Sequence, residues 1–426
     1  MFETRTNPDA ITTDILIVGA GPAGCAAAIT LALAGRRVLL IDQHDFPRDK
    51  VCGDGLIPDS MQALERLGVL EEVLRTAQRV KGVACHGPKG GTLYVPSDLA
   101  VLPRQSLDAC LFDRAKAVGA TTMTGMRYLA PLKDANDQVV GAHVKIDGHT
   151  TDGHTHELYA KWTILATGAN LRPLQATGHC TEPLPSAMAL RAYIHHPDFK
   201  NDGKPIEHLH ISWHKSYAPG YGWLFPCPNG LYNVGVGLYG MHQRRWRGNL
   251  AKLPGLKRLQ PSKPNLAELF DRFIQSNPLA RRLVETGTQV GNTKGAPLRC
   301  SLQGAKPAMP GLLITGEAMG STYALTGEGI GKAMETGMLC AQALLEHQNE
   351  QAVCQAYEQH LHHLAPKFTI YQQANKINRL PWLIDLAIAR GNQSPQLVHR
   401  MSRVLEEKAN PAKLFTLQGA WKFLTE

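Results

Sequence analysis

The sequence predicts an α/β fold in which a parallel-sheet unit is interleaved with a mixed β-sheet and followed by a helical C-terminal region. Three observations predict it. Residues 14–42 read as strand, glycine turn, helix and a second strand closing on an acid. Short strand-like runs divided by turn residues fill about 80–105 and 175–300. Beyond Gly337 the pattern is mainly helical. The 426 residues, 43% hydrophobic and 19% charged, are enough for two or three substructures with large cores and give no sign of extended disorder.

The first unit opens with Asp14-Ile-Leu-Ile-Val18, an apolar run of strand type, followed at once by Gly19-Ala-Gly-Pro-Ala-Gly24. A small-residue helix from Cys25 to Ala34 and the strand Arg37-Val-Leu-Leu-Ile-Asp42 complete it. The acid lies about 20 residues beyond the glycines, the arrangement of a Rossmann-like dinucleotide site. Gly19 allows the tight turn, Gly21 lets backbone approach a pyrophosphate, and Gly24 permits close helix–strand packing. The helix N-terminus offers unpaired N–H groups and a positive dipole end to the phosphates. Asp42 can accept hydrogen bonds from a ribose diol.

Two later stretches continue the pattern. Thr163-Ile-Leu-Ala-Thr-Gly168 runs a strand into a glycine turn, and so does Gly311-Leu-Leu-Ile-Thr-Gly-Glu-Ala-Met-Gly320. The latter leads through Ala324-Leu-Thr-Gly-Glu-Gly-Ile-Gly331 into a helix from Lys332 to about Leu345. Together with PRDKVCGDGLIPDSMQALERLGV, PRQSLDACLFDRAKAVGA and PGYGWLFPCPNGLYNVGVG, taken in this order, these pieces resemble the FAD-dependent oxidoreductases of the para-hydroxybenzoate hydroxylase fold. Within that group the chain is most similar to the geranylgeranyl reductase family.

The resemblance implies FAD as cofactor and a role for several residues. Arg104 would contact the FAD phosphate or ribityl region. Gly316 and Glu317 stand in the GEAMG stretch, where the family usually has aspartate binding a ribityl hydroxyl. Gly327, Gly329 and Ile330 would bring backbone N–H groups to the flavin pyrimidine edge, where a helix N-terminus favours negative charge. The segment after the second strand would run beside the flavin, with Cys52 and Gly53 against the ring. Two departures stand out: Glu317 is one methylene longer than aspartate, and Thr167 lies where aromatic hydroxylases of this fold carry Asp-Gly.

No second dinucleotide fingerprint is present, so NADPH or NADH would serve only as a transient electron donor, and a separate ferredoxin or reductase is the other source. The domain reading is discontinuous. Residues 1–80, 105–175 and 295–345 form the FAD-binding domain, 81–104 and 176–294 a substrate-binding sheet, and 346–426 a helical C-terminal region.

Cys52 sits in Asp49-Lys-Val-Cys-Gly-Asp-Gly-Leu56. It reads either as a small buried thiol or as a group that protonates substrate or tunes the flavin. Tyr217-Ala-Pro-Gly-Tyr-Gly-Trp-Leu-Phe225 reads either as an aromatic sheet core or as a pocket wall. Alkene reduction needs a proton on one carbon, and aromatic faces suit the developing positive charge. Tyr217, Tyr221 and Trp223 are the right types for that wall, and Cys52 or a tyrosine could deliver the proton.

The expected reaction is reduction of a carbon–carbon double bond in a prenyl or other apolar small molecule. The alternative is flavin-dependent hydroxylation of a small aromatic or apolar molecule; a non-catalytic electron carrier is a third reading. None of the six tryptophans forms the WxWxIP signature of a flavin halogenase.

The net charge of +9 is scattered, with one short cluster at Gln243–Arg247, and no nucleic-acid recognition motif accompanies it. It suits an anionic cofactor or an anionic membrane face. The nine cysteines form no CxxC pair, which argues against a zinc site or disulfide framework. The histidine groups 149/154/156, 195/196 and 360/362/363 lack metal-ligand spacing. The polar N-terminus MFETRTNPDA is unlike a signal peptide and points to the cytoplasm. The apolar runs Pro381–Ile388 and Leu414–Trp421 read as packing helices or as membrane-surface contacts.

Overall fold

A computed structural model describes residues 11–146, 155–239 and 265–410. The Gln243–Arg247 cluster, His149, Asp152, His154 and the Leu414–Trp421 run lie outside the described residues.

The first sheet grows from the run at 14–18. Ile11–Val18 is flanked in parallel by Val38–Ile41 on one side and Thr155–Leu165 on the other. Leu312–Ile314 extends it beyond Thr155–Leu165, and Thr121–Met123 beyond Val38–Ile41. An antiparallel pair, Met126–Lys133 and Val139–Ile146, hangs from the early part of Thr155–Leu165. Strands of the parallel part are apolar on both faces because helices cover both. Leu16, Ile17, Leu40, Ile164 and Leu313 have no exposed surface, each burial contributing roughly 1.5–3 kcal/mol. The helix Pro22–Leu33 can lie this close to its neighbours because its first turns, Ala23 to Ala28, are all small residues, and it packs on Ile330–Glu346. At Gly337 of that second helix, an added Cβ would overlap the Ala23 carbonyl oxygen.

The second sheet has eight strands. In order they are Thr288–Leu298, Ala187–His195, Leu231–Tyr239, Gly220–Pro226, Leu209–Ser212, Gln78–His86, Thr92–Val101 and Gly55–Leu56. The Pro228–Gly230 turn expected between two of these strands is a single 3-10 turn with Asn229 and Gly230 left-handed. Side chains alternate between the two faces. Leu224, Val234 and Val236 face the helices Leu266–Ser276 and Pro278–Thr286 and form a core with Phe273 and Leu283. Tyr221, Trp223 and Tyr239 point the other way and form a separate aromatic cluster. Gly55–Leu56 leaves the first, parallel unit and joins this sheet's edge by pairing with Ala100 and Val101. The Cys52 segment is thereby drawn between the two sheets.

The C-terminal region is helical: Glu350–Ala374, Pro381–Gly391 and Pro395–Leu405. Ile384 and Ile388 of the middle helix pack on Leu93 and Val95. No helix among the described residues is long and apolar enough to cross a membrane. All nine cysteines are free thiols. Among the described residues no group of three or more His, Cys, Asp or Glu is placed to hold a metal ion.

Candidate cofactor and substrate cavity

A cavity of about 420 Å³ lies between the two sheets. At one end is the glycine turn. Gly19 adopts φ +102°, and a Cβ there would meet the Ala166 carbonyl at 2.5 Å. A Cβ on Gly24 would overlap the Gly19 carbonyl oxygen, so this glycine permits packing and does not line the cavity. Gly21 does line it and caps a 12-residue helix with no acid in its first turn and no side-chain cap. A Cβ at Gly21 would lie 3.7 Å from the Arg48 guanidinium and 3.9 Å from that of Arg104. Arg104 forms a paired bond to the buried Asp108 at 2.6 and 2.8 Å, and Arg48 approaches the same carboxylate at 3.1 Å. The two cations are thus held by one acid beside the glycine turn.

Asp42 accepts Ala20 N–H and His44 N–H, both at 2.9 Å. It braces the turn as well as facing the cavity, a double role that spacing alone could not reveal.

The far side of this end is Gly316–Ile330. Gly316, left-handed at φ +66°, does not line the cavity; its missing side chain makes room for Ala23. Glu317 does line it, accepting Arg299 N–H and Thr322 Oγ1–H at 3.4 Å each. Gly327, Gly329 and Ile330 lie at the uncapped N-terminus of the 17-residue helix Ile330–Glu346.

These features fit FAD on observations of this chain alone. The Arg48 Nε and the Thr167 hydroxyl are buried without a hydrogen-bond partner, an arrangement that costs energy unless something satisfies it. They face the same cavity as two helix N-termini and two guanidinium groups.

The other end is apolar and aromatic. Cys52 and Gly53 stand at the junction: a Cβ at Gly53 would meet Phe225 at 3.3 Å and Trp223 at 3.8 Å. Burial pushes the Cys52 thiol up, so it stays protonated, and its Sγ accepts Asp54 N–H at 3.3 Å. Tyr221 donates to the Thr326 carbonyl and lies 3.1 Å from the Tyr239 hydroxyl. Tyr217 is elsewhere: its ring is buried edge-on against Phe273, on the opposite face of the sheet from Tyr221 and Trp223. Counting along the strand explains this. Tyr221, Trp223 and Phe225 alternate onto the cavity face, whereas Tyr217 precedes the strand in a 3-10 turn that folds back onto the helices.

Several cavity residues had no signal in the sequence reading. Glu328, in the TGEGI loop, lines the cavity, and burial pushes its carboxyl up to about 8. Asp59 and Glu407, both ion-paired to Lys332 at 3.4 and 2.9 Å, add their charges to that effect. Leu405 reaches the cavity from the C-terminal region. Only the chain's return in three dimensions brings these groups to the site.

Residues 12–210 match the FAD binding domain model. The chain is 32% identical over 346 residues to the menaquinone reductase of Mycolicibacterium smegmatis, covering 78% of this chain and 76% of that one. It is 27% identical over 338 residues to digeranylgeranylglycerophospholipid reductase 2 of Methanopyrus kandleri, covering 78% and 77%. Among solved structures, a geranylgeranyl bacteriochlorophyll reductase-like protein from Thermoplasma acidophilum superposes with a TM-score of 0.69 at 22% identity. That likeness spans 98% of this chain and 96% of the other.

Proposed function

The chain belongs to the geranylgeranyl reductase family of FAD-dependent oxidoreductases, and on that premise we propose that it saturates a carbon–carbon double bond in an isoprenoid chain. Menaquinone and digeranylgeranylglycerophospholipid, the molecules in the relatives' names, share an isoprenoid tail and little else. The observation that carries the reading is the continuity of one cavity. It runs from the glycine turn and its guanidinium groups to Tyr221, Trp223 and Phe225, with Cys52 at the junction.

When bound, FAD supplies a hydride equivalent to one alkene carbon. The chain's own residues supply the rest. Arg48, Arg104 and the two helix N-termini hold the anionic parts of the cofactor. The aromatic wall excludes water from an apolar chain and tolerates partial positive charge on the carbon being protonated. Cys52, Tyr221 and Glu328 each hold a proton at neutral pH and face the cavity, and Cys52 is the donor we favour because it sits at the junction.

The electrons enter from a donor that binds transiently, NADPH or NADH or a small ferredoxin or reductase, since the sequence holds one dinucleotide fingerprint. Peripheral contact with a membrane is supported by the helix Pro381–Gly391. Trp382 is 59% exposed and Leu386 37%, with Leu380 at 43% just before them and Arg379 and Arg390 at the two ends.

The deciding experiment is anaerobic reduction of the FAD-loaded protein followed by mixing with menaquinone, a geranylgeranyl lipid, or oxygen. Reoxidation by an isoprenoid, with a product two mass units heavier per bond reduced that keeps this mass after any quinol is reoxidised in air, is the expected result. Indifference to isoprenoids, with a hydroxylated small molecule formed under oxygen, would replace this reading by a monooxygenase.

A further inference from the structure

We propose that Asp54 and Asn233 form a positioning clamp that locks the Cys52–Gly53 segment to the Trp223 indole and so sets the geometry of the reacting edge. The inference rests on the reading of that edge as the place of reduction.

Asp54 lies between two glycines and is left-handed, φ +66°, with no exposed surface. Glycine is the cheapest residue for that backbone, so an aspartate there is kept for its side chain. Its carboxylate receives Arg104 N–H at 3.2 Å, the Tyr193 hydroxyl, and Asn233 Nδ2 at 2.7 Å. Asn233, also fully buried, donates a second bond from Nδ2 to the Cys52 carbonyl at 2.7 Å and accepts Trp223 Nε1–H on Oδ1 at 2.8 Å.

The chemistry of these partners fixes the amide's orientation. The indole N–H can only donate, while the carboxylate and the carbonyl can only accept, so a flipped amide would lose all three bonds. One side chain from the strand Leu231–Tyr239 therefore holds three things in register: the thiol-bearing segment, the buried carboxylate and the aromatic wall.

A second brace grips the same loop upstream. Asp49 is bonded to Arg191 and, at 2.8 Å, to Lys294. The Arg191 guanidinium stacks over the Tyr193 ring at 3.9 Å, whose hydroxyl serves Asp54. Both strands that carry these cations, Ala187–His195 and Thr288–Leu298, belong to the second sheet. The loop is thus pinned to that sheet by a carboxylate on each side of Cys52. Such a clamp is costly, since it desolvates a carboxyl group and strains a backbone angle. Positioning a reacting group to within a fraction of an ångström is what it supplies.

The test compares Asp54→Gly, which suits the left-handed backbone, with Asn233→Ala and the conservative Asp54→Asn in FAD-loaded protein. Three quantities are read: FAD per chain, the rate of Cys52 alkylation by iodoacetamide mapped by peptide mass, and kcat and KM with an isoprenoid substrate. With FAD retained, Cys52 alkylation should rise about tenfold, and kcat should fall roughly ten- to a hundredfold with KM little changed. Asp54→Asn, which keeps one oxygen for the Tyr193 hydroxyl, should fall between. Unchanged Cys52 labelling, or loss of FAD in both Asp54→Gly and Asn233→Ala, would overturn the clamp. The labelling readout needs no substrate, so it stands even if the isoprenoid reaction is not found.

Discussion

Asp42 and Arg48 show how many contacts a single cavity residue can carry. Asp42 was legible from its distance to the glycines, yet two backbone N–H groups of the neighbouring turn already occupy it. Arg48 carries no spacing signal in the Pro47–Val69 stretch, although its guanidinium lies beside both Gly21 and Asp108. Removing Arg104 would take two of the three cation contacts from the fully buried Asp108, where Arg48 supplies one, a loss of about 3–5 kcal/mol that would blur any cofactor effect. Arg48→Ala is the cleaner substitution: we expect a folded protein whose FAD dissociates at least about tenfold more readily, read by flavin fluorescence after dilution. Equal retention would overturn the proposed contact of Arg48 with the cofactor. Cys52→Ser keeps the size of the side chain but replaces the thiol with a much weaker acid. FAD content should hold and the substrate half-reaction should slow by roughly a hundredfold, measured by stopped-flow reoxidation. An unchanged rate would return Cys52 to a packing role.

Among elements, the strand Gly220–Pro226 and the helix Pro381–Gly391 divide what pattern can and cannot tell. Period-two alternation assigns Tyr221, Trp223 and Phe225 to one face from sequence alone, but not which face meets the cavity. The helix is apolar on nearly every side, so its sequence leaves open which stripe is buried. The structure buries Ile384 and Ile388 against Leu93 and Val95 and leaves Trp382 and Leu386 outside. If that outer stripe meets lipid, Trp382→Glu with Leu386→Glu should cut cosedimentation with anionic phosphatidylglycerol vesicles by at least about tenfold. Turnover on a short, water-soluble prenyl substrate should be untouched, because exposed positions rarely alter stability by more than about 0.5 kcal/mol. Equal sedimentation of both proteins would assign the stripe no lipid role.

At the scale of the whole molecule, buried ionisable groups from distant parts of the chain set a pH response. Burial pushes the Asp54 and Asp59 carboxyls up to about 6 and that of Glu328 up to about 8. Their folded-state values exceed the unfolded ones, so the stabilisation they contribute is complete at low pH and is lost as pH rises through 6 and then 8. His86 and His210, bonded to each other at 2.8 Å, act oppositely: burial lowers them to about 4 and about 3, so folding loses stability as pH falls below the ordinary histidine range. Between pH 6.5 and 7.5 the carboxyl effect dominates, because thiols that burial pushes up, such as Cys85, Cys300 and Cys340, add their own loss only as pH approaches the ordinary thiol range, and urea titrations should show a loss of about 1 kcal/mol. Glu328→Gln should flatten that loss; a persistent slope would place its origin elsewhere. The same scale separates what was readable from what was not. Local chemistry alone determined the dinucleotide unit, its glycines and Asp42, the alternating strands and the helical C-terminal region. Glycine turns, strands and helix N-termini are written in neighbouring residues. Joining Asp54 to Asn233, Glu328 to Asp59 and Glu407, or seating Leu405 in the cavity was decided only by the tertiary structure. Those contacts span tens to hundreds of residues and depend on how two sheets close on one another, which no local spacing records.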